Sequence, residues 1–276
     1  MGIRTFNESL GVPEDAWKMR KIRKESQMRR FMLPIITIQA VLLFSSDLCA
    51  QSDPKEIIQK AIDAGGGAEK VNKFKGYKDS TKGKVSLGGR EFEFSSSSIV
   101  APPDRSKTTL KYQIPGMEMT LEQQINGDKI TAKMNGVEQE VTEAQKEDAR
   151  QQVRMRDAMK LAPLLADNEY ELKPAKTIKV NGKEAVGVKI SGKDLNEVTF
   201  YFDKSTNLLV KVLRMGLSPA TGQPAKQEII FKDYKDVDGV KRPTKFVMLY
   251  DGKKFLEATV VEQHMLEKID DKEFSE

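Results

Sequence analysis

The chain of 276 residues is 38% hydrophobic and 32% charged, which suits one or two globular domains. Its formal charge of +5 is front-loaded: the first 50 residues hold 8 Lys and Arg against 5 Asp and Glu, leaving only +2 for residues 51–276. That near-neutral remainder, with both signs interspersed, lacks the polybasic footprint of a protein that binds nucleic acid.

From Met28 to Ala50 a short cationic start leads into an apolar core and ends on a small residue. This layout predicts a secretory signal peptide over residues 28–50, cleaved after Ala50, because the apolar core is short for a membrane span. The mature protein is then expected in the periplasm or outside the cell, without stable membrane insertion. An uncleaved anchor and a lipid-modified Cys49 are the alternatives, although Asp47 makes a poor lipobox. Residues 1–27 are charged and hold the only Trp, Trp17; they read as a non-native or disordered extension, with translation starting at Met28. Cys49 is the only cysteine, so cleavage leaves residues 51–276, expected as a single domain, with no disulfide, thiolate zinc site or Cys nucleophile.

Asp53-Pro54 opens a helix in which Ile57, Ile58, Ala61 and Ile62 recur at spacings of three and four, and Gly65-Gly66-Gly67 stops it. A turn or short helix through Val71 and Phe74 precedes a first strand near Thr81–Leu87. From Glu91 to Asn135 the period changes to two: Phe92 and Phe94, then Leu110, Tyr112 and Ile114, then Met117, Met119 and Leu121, then Ile130, Ala132 and Met134. Asn126-Gly127 marks a hairpin, Pro102-Pro103 and Pro115-Gly116 mark turns or breaks, and Ser95–Ser98 reads as a strand end. Thr142 with Gln145 forms a capping box before an amphipathic helix to Leu165, bent or ended near Pro163, with Met155, Ala158, Met159 and Ala162 on one stripe. Strands resume at Tyr170, at Ile178–Val180 and at Ala185–Ile190, the last two joined by Asn181-Gly182. Residues 216–224 read as a loop.

The run from Glu197 to Val261 is a meander of half-buried strands, with Val198, Phe200 and Phe202 on one face and Phe246, Met248 and Tyr250 forming a second such set. Asp238-Gly239 and Asp251-Gly252 supply the positive φ that two-residue hairpins need. A sheet this long must curl, split or be covered, and the helix from Thr142 is its natural cover.

The segment Phe231–Pro243, followed by a strand, Asp251-Gly252, another strand and Ile269–Phe274, resembles the end of the LolA/LolB-type outer-membrane lipoprotein-sorting superfamily. Tyr201–Val212 resembles the strand-turn-strand before it, and Gly65–Val71 the opening. The resemblance spans nearly all of the chain from Asp53. It implies an α+β, mostly antiparallel β fold in which one strongly curved sheet, a half-barrel, wraps covering helices around an apolar cavity for acyl chains. It also implies an arginine near the cavity mouth, for which Arg90 and Arg105 are the nearest by position.

No chemistry competes strongly with that reading. His264 is the only histidine, and no Gly-x-Ser-x-Gly elbow presents a serine to it. Asp233, Asp236 and Asp238 lack the ligand spacing of a calcium loop, and Gly65–Gly67 follows a helix instead of joining strand to helix. No enzyme activity, metal or cofactor is expected, and nothing singles out a carboxylate pair for hydrolysis. The expected lining is Phe92, Phe94, Leu110, Tyr112, Met119, Leu121, Met134, Met155 and Met159, side chains that equally suit a plain core. The expected ligand is a lipid or lipoprotein acyl chain carried at the cell envelope. The alternative is an envelope sensor or scaffold that holds a protein partner through the same fold.

Overall fold

A computed structural model describes residues 53–274 except 167 and 193. The expected N-terminal extension and signal peptide lie outside the described residues.

Helix α1 (Pro54–Ala64) starts where the Asp53 carboxylate accepts from the Lys55 amide at 3.0 Å, and it buries Ile57, Ile58, Ala61 and Ile62 on one stripe. Gly66 is indispensable at its end: φ is +119°, and a Cβ there would lie 2.2 Å from the Gly239 carbonyl oxygen. Helix α2 (Ala68–Lys73) leads into β1 (Gly76–Leu87), β2 (Arg90–Ala101), β3 (Arg105–Ile114), β4 (Met117–Asn126), β5 (Lys129–Met134) and β6 (Val137–Gln139). Helix α3 (Glu143–Ala158) and short α4 (Ala162–Ala166) come next. The chain then returns to strands: β7 (Tyr170–Val180), β8 (Lys183–Gly192), β9 (Leu195–Asp203), β10 (Leu209–Leu217), β11 (Pro224–Val237), β12 (Val240–Tyr250) and β13 (Lys253–Leu266), closed by a 3-10 turn at Asp271–Phe274.

All thirteen strands form one antiparallel sheet in the order β6-β5-β4-β3-β2-β1-β13-β12-β11-β10-β9-β8-β7. The first and last strands of the chain, β1 and β13, pair at its centre, while β6 and β7 are free edges joined through α3 and α4. The sheet curves around the helices without closing into a barrel, as the half-barrel expectation requires. Positive φ at Asn181, Asp238 and Asp251, each followed by a positive-φ glycine, makes the expected two-residue hairpins. Asn126 instead pairs with Lys129, so Gly127 and Asp128 form that turn, with glycine first.

Three local expectations need correction. The first strand begins at Gly76, because its pairing with Leu266 and the end of β2 extends the ladder beyond what the apolar pattern marks. Ser95–Ser98 is the middle of β2, not its end; the serines are held by cross-strand bonds, Thr81 Oγ1 to Ser96 Oγ at 2.6 Å and Thr108 Oγ1 donating to Ser98 Oγ at 3.2 Å. Helix α3 stops at Ala158, before Pro163. Leu161 turns left-handed, and Pro163 then sits in the first turn of α4, where its missing N–H costs nothing.

The main core lies inside the curve, where α1, the C-terminal end of α3 and α4 pack on β8–β11. Ile58, Val188, Ile190, Phe200 and Val212 are fully buried there. A second cluster, around Val85, Phe94, Tyr112, Leu256 and Ala258, occupies the inner face of β1–β4 and β13.

Candidate functional site

Strand register decides where the expected lining residues go. Phe92 lies opposite Val85, and Phe94 lies opposite both Gly83 and Tyr112, which in turn faces Met119. Leu110 lies opposite Ser96 and Leu121, and Leu121 opposite Met134. All seven therefore share the inner face with Val85 and Leu256. Phe94 and Tyr112 are buried, whereas Phe92, Leu110, Met119, Leu121 and Met134 are only half-buried. Met155 is not with them, because it belongs to the main core cluster with Ile58, Ala158 and Phe200. Met159 borders a cleft at the other end of the curve, and Met117 is an exposed hairpin residue.

One step along the strands from Leu110 and Leu121 the inner face turns polar. Asp79 lies opposite Ser98, Ser98 opposite Thr108, and Thr108 opposite Gln123. Burial pushes the Asp79 carboxyl above the usual carboxylate range, opposed in turn by the charges of Arg156 and Arg242 and by a hydrogen bond from Ser98. Arg242 stacks 4.6 Å over the Tyr77 ring, and its buried Nε has no hydrogen-bond partner among the described residues. The neighbouring lysines already have partners: Lys160 pairs with Asp157 at 3.1 Å and Lys241 with Asp236 at 3.6 Å. Arg90 is exposed, and Arg105 pairs with Asp271 at 2.6 Å over the Phe274 ring on the outer face, so neither reaches this interior.

Two spaces flank α3. A cleft of about 90 Å³ is walled by Ile62, Phe74, Met159 and Leu209 and includes Arg156 and Arg242. A second space, about 300 Å³, lies between Leu121 and Ala132 of the sheet, Asp148 and Gln152 of α3, and Leu217. Asp148, Gln152 and Arg156 recur every four residues, so α3 turns a polar stripe towards these spaces while Ala149 and Val153 pack on Ile125 and Ile130. No apolar stripe of α3 covers the half-buried row. An outer-face groove of about 400 Å³ is larger, but Lys78, Ser97, Lys107, Thr109, Glu262 and His264 line it, which does not suit an apolar guest.

The N-terminal half of α3 is fixed by a buried network. Arg214 Nη2 lies 2.8 Å from Asp148 Oδ1, Arg214 Nε donates to Gln227 Oε1 at 2.5 Å, and Gln227 Nε2 donates to the Tyr250 hydroxyl at 2.7 Å. Burial, against the nearby Arg214 charge, pushes Tyr250 up to about 12. Asp79, Arg156, Arg214 and Arg242 all escaped the sequence reading. Strand parity with Tyr77 and Thr81 was the one available signal, and it marks Asp79 alone.

Among the described residues no His, Cys, Asp and Glu cluster could hold a metal, and no helix is long and apolar enough to cross a membrane. No protein-family model matches the sequence, and no curated protein does. Solved structures do match its shape. One is a LolA superfamily protein from Nitrosomonas europaea, 11% identical over 81% of this chain and 97% of that one, with a TM-score of 0.53. Another is a DUF1329 family protein from Desulfovibrio piger, 11% identical over 81% and 98%, with a TM-score of 0.50. At such identity the likeness carries the fold alone, and that fold is LolA/LolB-like.

Proposed function

We propose that this chain is an exported, periplasmic, non-enzymatic carrier that holds a lipid or lipoprotein acyl chain inside its half-barrel for transport or sorting at the envelope. The observation that carries the reading is the half-buried apolar row on the inner face, opposite a helix stripe that is polar. The seven inner-face residues from Phe92 to Met134 form the contact surface, Met159 meets the ligand at the cleft, and Met155 backs the helix. Burying about ten methylenes at ~0.8 kcal/mol each gives on the order of 8 kcal/mol before association costs, enough for micromolar or weaker carriage. By the ~15 Å³ that one water needs, the cleft admits only about six water-sized groups, so a full chain must spread along the row or part the helices.

Native mass spectrometry of protein purified without detergent tests the proposal. A co-purifying lipid that extraction removes and re-addition restores is the expected result. Protein that arrives empty, takes up no lipid and retains a polypeptide would favour the scaffold alternative.

A further inference from the structure

Two half-buried guanidinium groups at the cleft lack an ion-pair partner among the described residues. Arg156 comes from α3 and Arg242 from β12, and both border the cleft beside apolar walls. Among the described residues neither has a carboxylate at ion-pair distance, whereas Lys160 and Lys241 beside them do. Arg242 Nε is buried and unsatisfied, a state that costs free energy unless an acceptor arrives. The Asp79 carboxyl feels both charges but is penalised by its own burial and already bonds Ser98. With the lysines paired, two arginines against one carboxyl whose charge burial disfavours leave the cleft with an excess of positive charge.

The position of these arginines relative to the row gives the site a direction. Arg242 stacks on Tyr77, one inner-face position before the level of Asp79, Ser98 and Thr108, and the charges of both arginines act on Asp79. Two residues further along each strand come Leu110 and Leu121, then Phe94, Tyr112 and Met119. Polar, then apolar, is the order of a head group followed by a chain. We infer that the ligand is a single-chain anionic amphiphile whose carboxylate or phosphate head is gripped between Arg156 and Arg242 while its chain runs along the Leu110 and Tyr112 levels of the inner face. This rests on the acyl-carrier reading and adds the head-group class and the orientation. Guanidinium suits both heads, because its fork donates two parallel N–H bonds to paired oxygens.

Calorimetric titration of the purified chain with dodecanoate and dodecyl phosphate below their micellar concentrations, and with dodecanol below its solubility limit, separates the claims. At least one anion should bind about tenfold more tightly than dodecanol, the net worth of one charge-assisted hydrogen bond of ~1.5 kcal/mol, and the tighter anion identifies the head. Arg156→Gln with Arg242→Gln should erase that preference and leave dodecanol binding in place. Asp79→Asn, which removes the competing carboxyl and keeps the side-chain volume, should tighten the anions relative to dodecanol even if the arginine variants fold poorly. Equal affinity for all three ligands, a preference that survives the double substitution, or no tightening in Asp79→Asn would each overturn the inference and leave the acyl reading standing. Failure of all three ligands to bind would remove the acyl reading and the inference together.

Discussion

The two halves of the sheet alternate apolar and polar residues in the same way, yet the helices fill them differently. In β8–β10, Val188, Ile190, Phe200 and Val212 are 0% exposed, because α1 and the end of α3 bring Ile58, Ile62 and Ala158 against them. In β2–β5 the same period leaves Phe92, Leu110, Met119, Leu121 and Met134 half-buried, and α3 turns Asp148 and Gln152 towards the space beside Leu121. Alternation selects which face points inward. Whether that face becomes core or binding surface depends on the stripe the covering helix presents.

Substitutions should separate the halves. The largest effect is expected for Phe200→Ala, which leaves a hole in the filled half and should cost about 3–5 kcal/mol in urea denaturation. Leu110→Ala in the other half should cost about 1 kcal/mol, because part of its surface already meets solvent. Equal losses would mean that the halves are equally filled. Arg214→Met should come next, at about 3 kcal/mol, since it strands the Asp148 carboxylate and the Gln227 amide in the network that fixes α3. A thermal unfolding curve unchanged from the parent protein would rule that network out as the anchor.

Met119→Glu sharpens the contrast in the other direction. It places a charge on the half-buried row, where stability should drop by about 1 kcal/mol or less, while acyl-ligand affinity falls about tenfold. A displacement titration with a fluorescent fatty acid reads this directly, and undiminished affinity would place the ligand elsewhere.

The smallest effect is that of Asp79→Asn, and its sign follows from the raised carboxyl. The folded chain holds the Asp79 proton more tightly than the unfolded chain, so the parent protein loses stability as pH rises from the ordinary carboxylate value, about 3.9, through the raised folded value. Asn cannot ionise. The variant should therefore match the parent in strong acid and exceed it at neutral pH. Denaturation midpoints across that window check it, and a variant less stable at neutral pH contradicts the assignment of burial as the dominant cause.

What was legible in the sequence was local. Asp238-Gly239 and Asp251-Gly252 carry their turn geometry in two residues, and the alternation from Phe92 to Met134 assigns each side chain a face without knowledge of its neighbours. Ser95–Ser98 misled because serine signals a loop on its own, whereas here Thr81 and Thr108 on adjacent strands supply the partners that keep it in the ladder. Met155 and Met159 share a helical stripe and both pack on the main core, so the stripe marks their common side but not that this side is already filled. The Asp79, Arg156 and Arg242 cluster draws on β1, α3 and β12, so no window of the chain contains it.

The central claim, that an acyl chain lies against the N-terminal half of the inner face, is tested most directly by photolabelling with a long-chain fatty acid bearing a diazirine at its tail, followed by peptide mapping. Adducts on β2–β4, at Phe94, Tyr112 or Met119, are the result the account predicts. Adducts confined to the outer groove around Lys107 and His264, or none above the unphotolysed control, would contradict it.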